Sequence, residues 1–247
     1  MDGQAELAAK IQAVFEHHHG RYGYRRVTAA LRQAGDVVNH KAVHRRMMQM
    51  GLKSRVRARK YQSNRPRCTL GAVAPNELDR KFWADRPNQK WATDVTEFNV
   101  GGQKLYLSPA IDLYNGEIVA YQTSRRPVLE MVQTMLGKAF ARLNPGDAPM
   151  LHSDQGWHYR HADYKRLLVE NAVTQSMSRP ATCLDNAVIE SFFGVLKTEY
   201  FYRNDFANIE ELERGLDHYI HYYNHDRIKL KLNGLSPVSY RLQTFGS

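Results

Sequence analysis

Three carboxylates sit in stretches that otherwise read as apolar. Asp94 falls within Trp91-Ala92-Thr93-Asp94-Val95-Thr96-Glu97, a run of strand-forming residues suited to burial. Asp154 closes Leu151-His152-Ser153-Asp154, and Glu190 lies inside Leu184-Asp185-Asn186-Ala187-Val188-Ile189-Glu190-Ser191-Phe192-Phe193. An isolated buried carboxylate is costly unless it is paired or bound to a cation. Hard divalent cations require oxygen ligands, and three carboxylates can hold two of them, so arranged that an attacking oxygen is activated and a leaving oxygen stabilised at phosphorus. Taken singly, each acid reads more simply as a cap or a salt-bridge partner; it is the combination that points to chemistry.

The elements that must position these acids follow from periodicity. Residues 91–100, 104–114 and 117–124 are rich in strand formers, with Gly101-Gly102 and Asn115-Gly116 between them as hairpin turns. A helix is predicted over 128–143, a strand over 149–153, a helix over 161–171 and a strand over 173–177, followed by long helices near 184–201 and 209–225. Three hairpin strands followed by alternating helix and strand predict an α/β fold, a mixed five-stranded sheet flanked by helices. Asp154 then stands at the C-terminal edge of a strand, where α/β sheets open to ligands.

Ahead of this body the pattern is helical. Leu7, Ile11, Val14 and Phe15 recur at three- and four-residue spacing, as do Val27, Ala30 and Leu31; Gly35 stops the second helix and Asn39 caps a third, basic one. This is a small helical, helix-turn-helix-like domain. Residues 1–67 carry 15 Lys and Arg against four Asp and Glu, so the whole formal excess of +10 lies in the first quarter of the 247 residues. A basic arm on a near-neutral body is the footprint of a protein that grips phosphates. The residues expected to do so are Arg45 and Arg46 of the third helix and Arg55, Arg57, Arg59 and Lys60 of an extended linker. The chain thus divides into a helical domain at 1–52, a basic linker at 53–72, a catalytic-looking body at 73–205 and a C-terminal helical extension at 206–247.

An apolar content of 43% and an aromatic content of 11% exclude a disordered or low-complexity chain. No apolar run has the length of a membrane span, and Met1 to Glu6 lack the pattern of a secretion signal, which places the chain in the cytoplasm, away from membranes. Cys68 and Cys183 are too few for a disulfide framework, and neither they nor His17-His18-His19 have zinc-ligand spacing.

Together these residues resemble the OrfB-type insertion-sequence transposases, members of the retroviral-integrase superfamily with a ribonuclease-H-like core. Asp154 and Glu190 are separated by 35 residues, the spacing of that superfamily's Asp, Asp, 35, Glu signature. The strings Ala84-Asp85-Arg86-Pro87-Asn88-Gln89, Ile111-Asp112-Leu113-Tyr114, His152-Ser153-Asp154-Gln155-Gly156, Asp185-Asn186-Ala187 and Glu190-Ser191-Phe192-Phe193 carry the resemblance through the body. Tyr24-Arg25-Arg26-Val27 carries it at the N-terminal end, and Tyr223-Asn224-His225-Asp226-Arg227 through Leu235-Ser236-Pro237 at the C-terminal end.

The resemblance implies that Asp94, Asp154 and Glu190 are catalytic metal ligands for two Mg²⁺ or Mn²⁺ ions, and that the reaction is 3′-end cleavage followed by strand transfer. It implies double-stranded DNA partners, both element ends and target, a homo-oligomer on DNA, a nucleoid-associated location and an upstream-frame product supplying a zipper for which this chain shows no heptads. Lys197, about 700° and so two turns beyond Glu190 on one helix face, is expected to contact DNA. Asn186 is expected to orient substrate or Glu190, the alternative being that Asp185 or Asn186 caps the helix, and His152 either to support the ligands or merely to pack. The sequence departs from the family's pattern at Arg179-Pro180-Ala181-Thr182-Cys183, where Pro-Ala replaces Gly and should stiffen a loop over the site. Two alternatives share these residues: a nuclease that only hydrolyses, and a catalytically silent DNA-binding regulator.

Overall fold

The structure is a computed structural model that describes residues 3–54, 73–180 and 183–246. Most of the expected linker, and with it Arg55, Arg57, Arg59 and Lys60, lies outside the described residues. One compact unit comprises Met1–Lys60 together with His225–Gly246, and the other Tyr61–Asn224.

In the first unit, α1 (Gly3–His17), α2 (Tyr24–Gln33) and α3 (His40–Gln49) close around Ile11, Tyr22, Val27, Leu31, Val43 and Met47. Gly35, at φ +92°, ends α2 by letting Asp36 N–H reach back to the Leu31 carbonyl at 3.0 Å. Asn39 caps α3 as expected, accepting from Lys41 N at 2.8 Å. Sequence periodicity did not foresee that the end of the chain joins this unit. Ile228 completes the core, and the buried Tyr22 hydroxyl accepts from Ile228 N at 2.7 Å and donates to the Asp226 carbonyl at 3.2 Å. A further helix, α9 (Pro237–Phe245), starts on a Ser236 cap with Pro237 in its first turn.

The second unit is the expected mixed sheet flanked by helices. Its strands are β1 (Lys90–Thr93), β2 (Thr96–Val100), β3 (Gln103–Asp112), β4 (Ile118–Ser124), β5 (Met150–Ser153) and β6 (Thr174–Met177). β3 pairs antiparallel with β1, β2 and β4, while β1, β5 and β6 run parallel. Six strands replace the expected five because the first breaks at Asp94 and Val95. Thr93 pairs with Ala110 and Thr96 with Leu107, so the running register sets Pro109 opposite Asp94. The Pro109 carbonyl faces β1, where it accepts from Thr93 Oγ1 at 2.9 Å, so the N–H that proline lacks is the one that would have continued the ladder.

Alternation along the strands feeds two cores. Trp91, Ala110 and Leu151 pack with Met131, Met135 and Leu136 of α4 (Leu129–Phe140) and Tyr164 and Leu168 of α6 (Ala162–Glu170). Ala92, Leu105 and Ile111 pack with Ile189, Phe192 and Leu196 of α7 (Ala187–Glu199) and Leu212, Leu216 and Tyr219 of α8 (Ile209–His225). The predicted helix at 161–171 is preceded by one short turn, α5 (Trp157–Arg160). Among the described residues no helix is long and apolar enough to cross a membrane.

Candidate active site

The pairing of β1 with β5 sets the geometry of two of the three acids. Lys90 is level with Met150, Trp91 with Leu151 and Ala92 with His152, a constant offset that makes Asp94 and Asp154 equivalent positions just past the ends of neighbouring parallel strands. Adjacent strands lie about 4.8 Å apart, so the two carboxylates rise side by side from the sheet's C-terminal edge. Asp94 is 2% exposed and its Oδ1 accepts from Val95 N at 2.7 Å, a hydrogen bond released by the break in the ladder. Asp154 is half-buried, and its Oδ1 accepts from Gly156 N at 2.8 Å.

Below the pair lies Tyr159, fully buried. Burial first, then the charges of Asp94 and of Asp154, hold its phenol well above the usual tyrosine range, so it stays neutral. Beside them His152 is buried, its Nδ1 2.8 Å from Ser176 Oγ, and burial pushes its pKa down to about 4. Of the two expected roles, its surroundings are those of a packed, neutral core histidine.

Glu190 has a different setting. α7 buries Ile189, Phe192, Phe193 and Leu196, which at 100° per residue leaves position 190 on the flank of the helix, and Glu190 is exposed rather than in the apolar setting expected. Among the described residues no group of three or more His, Cys, Asp or Glu is drawn together so as to hold a metal ion. Asp94 and Asp154 fit a hard cation by donor type and adjacency.

Other residues singled out in the sequence have distinct surroundings. Lys197 is half-buried, with Nζ 5.2 Å from the centre of the Phe98 ring. Asn186 stands at the N-cap position of α7 but its side chain makes no capping hydrogen bond: it is 5% exposed, and its amide donates to the Thr93 carbonyl at 3.4 Å. The turn Cys183–Asn186 that precedes α7 carries it inward. On α3, Arg45 is exposed, whereas Arg46 donates to Gln4 Oε1 of α1 at 2.8 Å.

The residue that sequence reasoning weighed only as a cap is Asp185. Its side chain is fully buried and accepts from Arg179 Nε and Nη2, both at 2.9 Å, from Arg179 N at 3.1 Å, from Arg80 Nε at 2.8 Å and from Asn76 Nδ2 at 3.0 Å. The Arg179 guanidinium above all holds its carboxyl far below the ordinary range, so it is ionised at every physiological pH. No local pattern announces this cluster, because Asn76 and Arg80 lie more than 100 residues from Asp185 along the chain.

Residues 84–183 match the integrase core domain family, residues 190–245 a second integrase core domain family, and residues 2–61 an HTH-like domain. The chain is 52% identical to InsK of insertion sequence element IS150 from Escherichia coli (strain K12), over 99% of this chain and 86% of that protein. It is 34% identical to the transposase for insertion sequence element IS904 from Lactococcus lactis subsp. lactis (strain IL1403), over 95% of this chain and 92% of that one. Among solved structures, a chain of the simian T-cell lymphotropic virus intasome in complex with PP2A regulatory subunit B56 gamma superposes with TM-score 0.52 at 17% identity, over 89% of this chain and 70% of its own. The HTLV-2 integrase catalytic core domain in complex with magnesium (trimeric form) superposes with TM-score 0.52 at 14% identity, over 64% of this chain and 98% of its own. At such identities these two likenesses concern the fold.

Proposed function

The chain belongs to the insertion-sequence transposases with an integrase core domain, and from that premise we propose that Asp94, Asp154 and Glu190 carry its polynucleotidyl transfer. The observation that supports this most is the constant offset of β1 against β5, which brings Asp94 and Asp154 level at one sheet edge. On this reading the pair, with Glu190 as third ligand, holds Mg²⁺ or Mn²⁺, two ions in all. Such ions would lower the pKa of a bound oxygen nucleophile and neutralise charge on the scissile phosphate.

The protein's own residues do the rest. Asp94 is buried, and the Val95 and Gly156 amide N–H groups fix the orientation of the two carboxylates by donating to Asp94 and Asp154. Tyr159, neutral beneath the pair, contributes no competing charge. Water is the first nucleophile, freeing a 3′-hydroxyl at an element end; that hydroxyl then attacks a target phosphodiester. No side chain needs to form a covalent bond to DNA. Arg45 on the exposed face of α3 and the basic residues Arg55, Arg57, Arg59 and Lys60 neutralise phosphates, and Lys197, on the helix that carries Glu190, contacts DNA. The ends are held by an oligomer of the chain, together with an upstream-frame product, in the bacterial cytoplasm at the nucleoid. Residues 1–52 are retained for end binding, 53–72 for linkage and 73–205 for catalysis; of the extension 206–247, α8 supports the core of the second unit, whereas His225–Gly246 belongs to the first.

The test is joining of a labelled, pre-nicked element end to target DNA in Mn²⁺ and in EDTA, with DNA binding measured alongside. Metal-dependent joined product is the expected result. Cutting without joining would favour a hydrolytic nuclease, and binding with neither would favour a silent regulator.

A further inference from the structure

Deepening the reading of Glu190 as the third ligand, we infer that Asp185 is a positioning residue, whose buried carboxylate fixes where α7, and hence Glu190, stands relative to Asp94 and Asp154. Three separate pieces of chain meet on this one side chain. Asn76 and Arg80 come from the segment before β1, Arg179 comes from the segment after β6, and Asp185 itself lies in the turn that starts α7. Arg179 is bound twice over, by its main-chain N–H and by its guanidinium, so the loop after β6 is closed back onto the turn six residues later.

The neighbouring residue completes the device. Asn186 reaches the carbonyl of Thr93, the last residue of β1 and the one before Asp94, while its own Oδ1 is buried without a partner among the described residues. Asp185 and Asn186 therefore hold the start of α7 against the strand end that presents Asp94. Glu190 follows Asn186 by four residues, about one helical turn, so its position is set by that anchor.

A carboxylate serving only stability would be an inefficient choice here. Burying a charge costs nearly what its partners return, and apolar residues often do as well. The two guanidiniums are each about half exposed, 47% for Arg80 and 48% for Arg179, and can hydrate once Asp185 is neutral. Their release leaves the fold standing while freeing the turn. What the cluster supplies is a fixed position for α7's first turn.

The experiment uses the full chain and four variants: Asp185→Asn, Arg179→Ala, Glu190→Gln and the double variant Asp185→Asn with Glu190→Gln. Three quantities are read: amide hydrogen exchange of residues 187–191, Mn²⁺ affinity by electron paramagnetic resonance, and strand joining. Asp185→Asn and Arg179→Ala are expected to speed exchange at 187–191 with α8 unchanged. Each should weaken Mn²⁺ affinity and joining by roughly tenfold or more, as loss of a ligand's supporting partner does. In the Glu190→Gln background Asp185→Asn should cost nothing further. Unchanged exchange at 187–191, or an undiminished effect of Asp185→Asn in the Glu190→Gln background, would overturn the inference. If Glu190→Gln alone left Mn²⁺ affinity and joining intact, the ligand reading of Glu190 would fail, and the exchange data would still decide whether Asp185 anchors the turn.

Discussion

Asp154 depends on a small neighbour for its geometry. A Cβ at position 156 would stand 2.9 Å from Asp154 Oδ1, so the carboxylate would have to shift, while the Tyr159 ring at 3.4 Å closes the other side. Gly156→Ala is therefore expected to displace the carboxylate and lower joining about tenfold or more, with DNA affinity unchanged in a filter-binding assay. In the first unit His18 stacks on Tyr22 at 3.8 Å, and burial before all else depresses its pKa from 6.5 to about 4. A depressed pKa means that the fold holds the neutral imidazole. The stability it contributes is present above pH 6.5 and is lost as pH falls towards 4. The denaturation midpoint should fall between pH 7 and pH 5 in the wild type and fall less in His18→Phe. The place of Asp154 at the end of a strand was legible in the sequence, because a strand pattern stops there; the exposure of Glu190 was not, since its neighbours along the chain read as apolar. The burial of Asn186 and Asp185 was not, since it depends on Thr93, Arg80 and Asn76, which only the tertiary fold brings to them.

Elements were legible where periodicity is strong. The hairpin strands, α4 and α8 fall within a few residues of their expected bounds, because Gly101-Gly102 and Asn115-Gly116 punctuate the former and unbroken helical spacing marks the latter. The break between β1 and β2 escaped notice because its cause, Pro109, lies on the opposing strand. α9 escaped because its start signal, Ser236-Pro237, is followed by too few apolar residues to show a period. The junction of α7 and α8 yields a test at this scale. Gly215 leaves room for the Tyr200 hydroxyl, with which any Cβ would collide. Gly215→Ala should lower unfolding free energy by about 1–3 kcal/mol, read by urea denaturation, despite alanine's better helix propensity. A neutral or stabilising result would mean that Tyr200 moves aside at little cost.

At the scale of the whole molecule, the first unit is assembled from both ends of the chain. Ile228 is 5% exposed in its core, and the two main-chain partners of the Tyr22 hydroxyl come from residues 226 and 228. Ile228→Ala should destabilise this unit by roughly 2–4 kcal/mol. It should weaken DNA binding while the second unit keeps its hydrogen-exchange protection. Charge patterning marks the basic arm proposed to bind phosphates, but pairing across more than 200 residues leaves no periodic trace in a single sequence. The central claim is that Asp94, Asp154 and Glu190 act as one catalytic unit, and residues that act as a unit are non-additive. The most direct test is the Mn²⁺-dependent joining rate of Asp94→Asn, Asp154→Asn, Glu190→Gln and the triple variant, with DNA binding as a control. The account predicts that all four bind DNA and that each single variant falls to the floor of the triple. Joining at near wild-type rate by any single variant would contradict it.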